Sequence, residues 1–278
     1  MTDNNRLDHY AVVGNPVAHS LSPRIHTEFA RATGESLQYQ AIEIAVDAFA
    51  AGIAGLQQQG FGGVNVTVPF KREAWELCNS LTPRARIAGA VNTLCLQSDG
   101  TIHGDNTDGV GLIRDLVDNL NVEIKQRNIL VLGAGGAVRG ILEPLLALSP
   151  ARITMANRSV DKARALALDF TNFGEIEVVA YNQIKPRGFH LIINATAAGL
   201  SNQIPPVSAA VLERTVICYD MMYNLKAPTA FVEWSIANGI KRSHDGLGML
   251  VEQAAEAFHL WRGVRPATSL LLSSLRST

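Results

Sequence analysis

Short runs of apolar, largely β-branched residues alternate along the chain with segments in which apolar residues recur every three or four positions. Six runs predict buried strands, at residues 10–13, 64–68, 129–132, 153–155, 191–193 and 216–219. Strand patterns that alternate with helix patterns are typical of βα units and a parallel sheet. The pattern therefore predicts an α/β fold.

Three of the periodic segments predict helices with a defined apolar face. The first follows Ser22 and Pro23, places Ile25 and Phe29 four residues apart, and ends at Gly34. The second puts one set of residues on a single face: Leu112, Ile113, Leu116, Val117 and Leu120. The third, from Gly246, has an apolar face made of Leu247, Leu250, Val251, Ala254, Phe258 and Trp261. A polar stretch between Asn119 and Asn128 precedes the most apolar strand, so a second sheet is expected to begin near residue 128.

Composition narrows the class of partner. The 278 residues are 47% hydrophobic and 18% charged, which favours a compact domain with a large core. The formal net charge is −1, so the chain has no basic field to attract nucleic acid, and we expect a small-molecule substrate instead. Three scattered cysteines without a C-x-x-C pair and no run near the ~18 apolar residues of a membrane span predict a cytoplasmic protein that does not insert in a membrane.

A glycine turn follows the strand at residues 129–132. It comprises Gly133, Ala134, Gly135, Gly136 and Ala137, and it opens a helix. Glycines let the backbone approach a pyrophosphate, whose charge is stabilised by the free N–H groups of the helix N-terminus. Taken alone, the motif is also compatible with a tight βα turn that binds nothing.

The end of the next strand distinguishes the two nicotinamide cofactors. NAD-binding sheets place an acid there, which accepts a hydrogen bond from the ribose 2′-hydroxyl. This chain has Asn157, Arg158 and Ser159 instead, with Lys162 one turn further on. A guanidinium binds a 2′-phosphate that an acid would repel, so these residues favour NADP(H). Ser159 is also a candidate cap for the following helix.

The first half of the chain has a candidate substrate site. Strand alternation predicts Asn65 and Thr67 on one face, opposite Val64, Val66 and Val68, with Lys71 at the start of the next helix. A lone lysine in a first helical turn is ordinarily a solvated charge, and that alternative stays open.

Two further segments contain hydroxyl and carboxyl groups. Ser20 and Ser22 lie at a helix start, where they are either a site for a carboxylate or, for Ser22, a plain N-cap. Asp108 ends the run DNTD at 105–108, which lacks the spacing of a calcium loop, so we expect no metal.

Taken together, the motifs resemble those of the shikimate dehydrogenase family. The similarity runs through HSLSP at 19–23, NVTVPFK at 65–71, GAVNT at 89–93, DNTDG at 105–109, GAGGA at 133–137, NRS at 157–159, NAT at 194–196, DMMY at 220–223 and DGLGMLVEQAA at 245–255. The resemblance implies two α/β domains around a cleft, the C-terminal one a Rossmann-like, NADP-binding parallel sheet. It places the substrate-binding and catalytic domain at 1–108 plus 246–278 and the NADP-binding domain at 109–245.

The resemblance also implies the reaction and the residues that perform it. The expected activity is the reversible reduction of 3-dehydroshikimate to shikimate by NADPH, on the route to chorismate and the aromatic amino acids. Lys71 and Asp108 are the expected catalytic pair. The expected substrate-binding residues are Ser20, Ser22, Asn65, Thr67, Asn92, Tyr223 and Gln253. The expected cofactor-binding residues are Gly133, Ala134, Gly135, Gly136, Ala137, Asn157, Arg158, Ser159, Lys162, Thr196, Met221 and Gly246.

Two alternatives are weighed against this expectation. One is a broader quinate and shikimate dehydrogenase that uses NAD, and the other is a non-catalytic NADP-binding sensor of the same fold. Asn157, Arg158 and Ser159 at the strand end, where NAD-binding sheets have an acid, disfavour NAD, and the presence of both Lys71 and Asp108 disfavours a sensor. The sequence leaves monomer and homodimer equally open.

Overall fold

The computed structural model describes residues 7–201 and 203–277. Residues 1–6, in the polar N-terminus, and Thr278, at the end of the expected substrate domain, lie outside the described residues, as does Asn202. The chain divides into two compact units, one formed by residues up to Gly111 together with Val251–Ser277 and the other by Leu112–Leu250. No helix in the described part of the chain is long and apolar enough to cross a bilayer.

The first unit contains a six-stranded mixed sheet with helices. Its strands are β1 (Asp8–Gly14), β2 (Leu37–Glu43), β3 (Phe61–Val66), β4 (Ser80–Leu81), β5 (Thr93–Leu96) and β6 (Ile102–Asp105). They lie in the order β2-β1-β3-β5-β6-β4, where β1 is parallel to β2 and β3, and β5 is antiparallel to β3 and β6. The helices that follow these strands are α1 (Ser22–Thr33), α2 (Phe49–Gln58), α3 (Lys71–Leu77) and α4 (Pro83–Ala88).

The observed ends of α1 and β3 can be compared residue by residue with the ends that the hydrophobic pattern predicts. α1 has proline in its first turn and ends at Gly34 in the left-handed conformation (φ 73°), as predicted. The strand predicted to reach Val68 ends at Val66, so that part of the prediction is wrong, and Val68 is 56% exposed. The chain leaves the strand because the Phe70 N–H donates to the Thr67 carbonyl (3.0 Å), which closes a turn.

The second unit contains a six-stranded, fully parallel sheet. Its strands are β7 (Asn128–Leu132), β8 (Arg152–Ala156), β9 (Ile176–Val179), β10 (Leu191–Asn194), β11 (Ile217–Asp220) and β12 (Arg242–His244). They lie in the order β12-β11-β10-β7-β8-β9, so the strand order reverses between β7 and β10. Its helices include α6 (Gly136–Ala147), α7 (Val160–Leu168) and α8 (Ala230–Ala237), and short 3₁₀ turns cover Tyr181–Gln183, Ala197–Ser201 and Ala209–Leu212. The second sheet begins at Asn128, as predicted, and four of its strands are the predicted ones.

Two helices contain the points at which the chain changes unit. The first, α5 (Asp108–Arg114), continues as one π-helical segment over Asp115–Asn119. In that segment the Leu120 N–H donates to the Asp115 carbonyl, a spacing of five residues. The wider turn rotates the apolar face, which is why Val117 is 37% exposed although the 3.6-residue period predicted it to be buried with Leu116.

The chain returns to the first unit through α9 (Leu247–Arg262), which is followed by α10 (Ser269–Arg276). The Trp261 indole N–H donates to the carbonyl of Leu94 on β5 (3.1 Å), and the Arg262 guanidinium pairs with Asp8 and Glu35. These contacts join the last helices to the first sheet.

A buried carboxylate lies against the first turn of α9. Asp115 accepts a hydrogen bond from the fully buried Tyr219 hydroxyl (2.7 Å) and another from the Asn119 amide (3.0 Å). A Cβ atom at Gly248 would overlap the Asp115 carboxylate, so only glycine fits at this position. The hydrogen bonds leave the carboxylate no room to move aside.

We therefore predict that Gly248→Ala lowers the free energy of unfolding by about 1–3 kcal/mol, because the added methyl group breaks the Tyr219–Asp115 hydrogen bond. The matched control is Gly55→Ala in α2, where a Cβ would meet no atom within 4 Å. That change should stabilise the protein by up to about 1 kcal/mol through helix propensity. Urea denaturation followed by circular dichroism measures both, and equal stability of Gly248→Ala and the natural protein would contradict the packing argument.

Candidate functional site

The strongest candidate for chemistry is an ion pair between Lys71 and Asp108. Lys71 is the first residue of α3 and Asp108 the first of α5, and the Lys71 Nζ lies 2.5 Å from Asp108 Oδ2. The lysine side chain is 22% exposed and the aspartate side chain 9%. Lys71 is therefore not the solvated charge that its position alone allowed. It is a partly buried ammonium held by a buried carboxylate.

Asn92 fixes the other oxygen of that carboxylate. Its Nδ2 donates to Asp108 Oδ1 (2.8 Å) and to Thr107 Oγ1 (2.9 Å), while its Oδ1 accepts the Thr107 backbone N–H (2.8 Å). Gln253, on α9, lies beside them, with Oε1 3.3 Å from Asn92 Nδ2 and 3.4 Å from Thr107 Oγ1. Three acceptors thus share the two N–H groups of Asn92, and Gln253 is the most distant of the three.

Asn65 and Thr67 lie at and just beyond the end of β3. Asn65 is buried, and its Nδ2 donates to Thr93 Oγ1 (3.0 Å) and to the Asn92 carbonyl (3.2 Å). The Thr67 backbone N–H donates to the carbonyl of Val13 (2.9 Å), and its side chain is half-buried. The end of β3 thereby connects to the Asn92 hydrogen bonds.

The two serines at the start of α1 differ from a simple cap. The N-cap position is Leu21, so Ser22 is not the N-cap that the sequence allowed as an alternative. The Ser22 backbone N–H donates instead to Ser20 Oγ (3.2 Å), and Ser22 itself is buried. Ser20 satisfies the helix terminus, and the Ser22 hydroxyl has no capping role.

Arg84, which no sequence pattern indicated, stabilises the turn between β6 and α5. Arg84 binds both carboxylate oxygens of the buried Asp105 (2.7 and 2.6 Å) and also Glu256 on α9 (3.1 Å). The Thr82 hydroxyl donates to Asp105 Oδ1 (2.6 Å), the oxygen that also accepts from Arg84 Nε. This network holds the end of β6, three residues before Asp108. No local pattern could reveal it, because Arg84 is 21 residues from Asp105 and 172 residues from Glu256 along the chain.

In the second unit, most of the candidate cofactor-binding residues follow the carboxyl ends of parallel strands. Gly133 follows β7, Asn157 follows β8, Thr196 comes two residues after β10, and Met221 follows β11. These four strands are neighbours and include the point where the strand order reverses. In open parallel sheets, that edge is where ligands bind.

The glycine turn has the geometry needed for close approach of a phosphate. Gly133 has φ +112°, which side-chain-bearing residues rarely adopt, and a Cβ there would lie 3.1 Å from the Ala195 carbonyl oxygen. A Cβ at Gly135 or Gly136 would meet no atom within 4 Å. The turn is therefore open on the side of the α6 N-terminus, where Ala134 and Ala137 flank the two glycines.

The end of β8 presents positive charge. Arg158 and Lys162 are exposed, and among the described residues no carboxylate forms an ion pair with either of them. The Asn157 amide donates to the Ser159 carbonyl (2.8 Å), which orders the turn. Ser159 is the N-cap residue of α7, but its side chain makes no capping hydrogen bond, so that predicted role is wrong. The residues present fit a 2′-phosphate.

The ends of β10 and β11 are tied together by a buried amide and a buried acid. Asn194 Nδ2 donates to Asp220 Oδ1 (3.0 Å), and Asn194 Oδ1 accepts from the Thr196 hydroxyl (2.8 Å). Burial raises the pKa of Asp220 above its usual value, although the Thr229 hydroxyl stabilises the ionised form. A Cβ at Gly246 would overlap the Met221 carbonyl, and Tyr223 lies three residues beyond β11, half-buried.

The candidate residues are divided between the two units. The first unit contains Ser20, Ser22, Asn65, Thr67, Lys71, Asn92, Asp108 and Gln253. The second unit contains the glycine turn, the Asn157–Lys162 segment, Thr196, Met221, Tyr223 and Gly246.

Comparison with known protein families covers most of the chain. Residues 12–94 match the family described as "Shikimate dehydrogenase substrate binding domain", residues 115–204 match "Shikimate / quinate 5-dehydrogenase", and residues 246–276 match "Shikimate 5'-dehydrogenase C-terminal domain". The chain is 52% identical over 270 residues to a Shikimate dehydrogenase (NADP(+)) of Thioalkalivibrio sulfidiphilus, an alignment that covers 97% of this chain and 98% of that relative.

Solved structures agree with the sequence relatives. An Ael1 enzyme from Pseudomonas putida superposes with a TM-score of 0.90 at 42% identity, covering 96% of this chain and 98% of that one. A shikimate 5-dehydrogenase from Thermus thermophilus, solved in complex with NADP(H) and shikimate, has a TM-score of 0.87 at 32% identity, covering 98% of this chain and 99% of that one. The fold, the motifs and these full-length similarities lead to one conclusion: the chain belongs to the shikimate dehydrogenase family.

Proposed function

We propose that the chain catalyses the reversible, NADPH-dependent reduction of 3-dehydroshikimate to shikimate, in the pathway to chorismate and the aromatic amino acids. The observation that carries this proposal is the Lys71–Asp108 pair, 2.5 Å apart and partly buried, beside amide and hydroxyl groups suited to a polyhydroxylated ring. Curated relatives at about half identity are NADP-dependent shikimate dehydrogenases, which supports both the reaction and the cofactor.

The division of labour follows the two units. The proposed substrate-binding and catalytic domain comprises residues 1–108 with 246–278, and the proposed NADP-binding domain comprises 109–245. The boundaries between the two compact units lie after Gly111 and after Leu250, within a few residues of the proposed domain boundaries. This agreement supports the proposed division, although the two sets of boundaries are not identical.

Lys71 is the proposed proton donor for the reduction. As the carbonyl carbon is reduced, negative charge develops on its oxygen, and an ammonium beside that oxygen both stabilises the charge and protonates it. Asp108 holds Lys71 in place through the ion pair. Lys71 is the more exposed member of the pair, so it can regain its proton from water. In the reverse direction the same lysine accepts the hydroxyl proton.

The remaining polar residues of the first unit orient the substrate. Ser20 and Ser22 are proposed to bind the carboxylate at the start of α1, and Asn65, Thr67, Asn92 and Gln253 to bind the hydroxyl groups. Tyr223, from the second unit, is proposed as a further substrate contact. Orienting the substrate raises the rate more than affinity alone, because the proton must reach the carbonyl oxygen and the hydride the carbonyl carbon beside it.

The second unit holds the proposed cofactor. The turn from Gly133 to Ala137 and the N-terminus of α6 are proposed to bind the pyrophosphate, and Asn157, Arg158, Ser159 and Lys162 the 2′-phosphate and its ribose. Thr196, Met221 and Gly246 are proposed to line the nicotinamide end. When bound, NADPH supplies the hydride and NADP⁺ accepts it.

We propose a cytoplasmic location, which the free cysteines support. We also propose that the protein is a monomer or a homodimer. Cys78, Cys95 and Cys218 are free. Burial raises the pKa of Cys218 and Cys78 to about 12 and that of Cys95 to about 11, so all three remain unreactive thiols near neutral pH. Light scattering of the purified protein measures the oligomeric state.

We predict that Lys71→Ala lowers kcat by roughly 10²–10⁴-fold, the usual contribution of a general acid or base, with a much smaller change in the KM for shikimate. The assay follows shikimate-dependent NADP⁺ reduction by absorbance. Arg72→Ala is the matched control, because this exposed neighbour contacts Glu76 and Trp75 and neither member of the catalytic pair, and it should leave kcat unchanged. A defect confined to KM would make Lys71 a binding residue.

We predict that Arg158→Ala raises the KM for NADPH about tenfold and leaves the KM for NADH unchanged, since only NADPH has the 2′-phosphate. Arg164→Ala, on α7 and paired with Asp161, is the control that should change neither value. Equal kcat/KM for the two cofactors in the natural protein would refute the argument from charge.

The same assay with quinate in place of shikimate shows which of the two substrates the protein oxidises. No turnover with either substrate and either cofactor would favour a non-catalytic NADP sensor.

A further inference from the structure

A histidine that the proposed mechanism does not use is buried next to the substrate-binding residues of the first unit. His26 lies one helical turn after Ser22 on α1, is fully buried, and neither of its ring nitrogens has a hydrogen-bond partner among the described residues. Burial lowers its pKa to about 3. The ring is therefore neutral near neutral pH and acts as an aromatic surface.

The partner of that surface is Tyr39 on β2. The two rings stack face to face, with centroids 4.1 Å apart and planes within 5°. Phe29, Phe258 and Trp261 surround the stack, so the tyrosine ring has little freedom to shift. Burial raises the pKa of the Tyr39 hydroxyl well above its usual value, and the hydroxyl remains protonated.

The Tyr39 hydroxyl donates to Asn65 Oδ1 at 2.7 Å, and it also lies beside the Ser22 hydroxyl, whose interaction partly offsets the effect of burial on the pKa of Tyr39. The opposite side of the amide is also fixed, because Nδ2 donates to the Asn92 carbonyl and to Thr93 Oγ1. An amide has two donor hydrogens and two acceptor lone pairs. Both hydrogens and one lone pair of Asn65 are thus used. Among the described residues the second lone pair of Oδ1 accepts no hydrogen bond, because neither ring nitrogen of the neighbouring His26 makes one.

We propose that Tyr39 is a positioning residue for the substrate: its hydroxyl, held in place by the His26 stack, fixes the Asn65 amide so that Oδ1 accepts a hydrogen bond from a substrate hydroxyl. The inference rests on the proposed function, since it specifies how Asn65 binds. It states which way the hydrogen bond runs, and it assigns the tyrosine and the histidine to substrate affinity and not to proton transfer.

The test is Tyr39→Phe, which keeps the stacked ring and removes only the hydroxyl. We expect kcat/KM for shikimate to fall about threefold to tenfold, the usual effect of one neutral hydrogen bond, mainly through KM, with the KM for NADP⁺ unchanged. Tyr10→Phe is the matched control. Tyr10 is a buried tyrosine of the same unit, stacked on Trp261, and its hydroxyl accepts from Arg262 and does not contact Asn65. It should leave the KM for shikimate unaltered.

A double-mutant cycle separates positioning from general loss of structure. If Tyr39 acts through Asn65, then Tyr39→Phe should change kcat/KM by less than about twofold in an Asn65→Ala background, because neighbouring residues in one network are not additive. Full additivity of the two changes would overturn the inference, as would an equal loss in Tyr10→Phe or an unchanged KM in Tyr39→Phe. A natural protein that does not oxidise shikimate would instead overturn the proposed function, and the inference with it.

Discussion

The side-chain amide of Asn92 is the interaction on which the first unit's site depends. Its donors hold Thr107 and Asp108, its acceptor holds the Thr107 N–H and the Thr93 hydroxyl, and its own backbone pairs with Val66 and Asp105. One buried residue thereby joins the end of β3, the start of β5 and the turn between β6 and α5. A buried amide with all its positions used is rigid, because losing any partner leaves an unpaired polar group.

That rigidity explains the geometry of the Lys71–Asp108 pair, the proposed catalytic pair. Asp108 has one oxygen committed to Asn92 and the other to Lys71, so the lysine is held by a carboxylate that cannot turn away. The Arg84–Asp105 pair supports the same turn three residues earlier. The near-zero net charge of the chain thus conceals a local arrangement of charges. Ion pairs order the proposed substrate region, while Arg158 and Lys162 present positive charge at the end of β8.

Local patterns predicted the elements whose causes are local. Gly34 ends α1 because of its left-handed backbone, and Asn128 starts the second sheet because a polar stretch gives way to an apolar run. Predictions from hydrophobic periodicity and residue polarity were wrong where hydrogen bonds outside the regular pattern determine the local structure. The π-helical turn at Asp115 exposes Val117. At the start of α1 the Ser22 backbone N–H donates to Ser20 Oγ, and this bond takes the place of the Ser22 cap that the sequence allowed. Strands β2, β4, β5, β6, β9 and β12 were not predicted, and the shortest of them, β4 and β12, contain too few residues to show a period.

The candidate site was predictable as a set of residue types, and not as a network. Motif resemblance selected Lys71, Asp108 and Asn92, but no local pattern showed which atoms pair, since the partners are 16 to 37 residues apart. Tyr39 and Arg84 gave no signal at all, because a tyrosine in a strand and an arginine in a short helix are ordinary. Whether Ser20, Thr67 and the cofactor residues bind as proposed stays a prediction.

We propose above all that the Lys71–Asp108 pair faces the substrate oxygen that is protonated when its carbon is reduced and deprotonated when that carbon is oxidised. A crystal structure of the protein with shikimate and NADP⁺ bound measures this directly. We predict that the oxygen of the hydroxyl to be oxidised lies about 3 Å from Lys71 Nζ, within hydrogen-bond reach. A complex in which that oxygen lies beyond about 5 Å from both Lys71 and Asp108, with no water between, would contradict it.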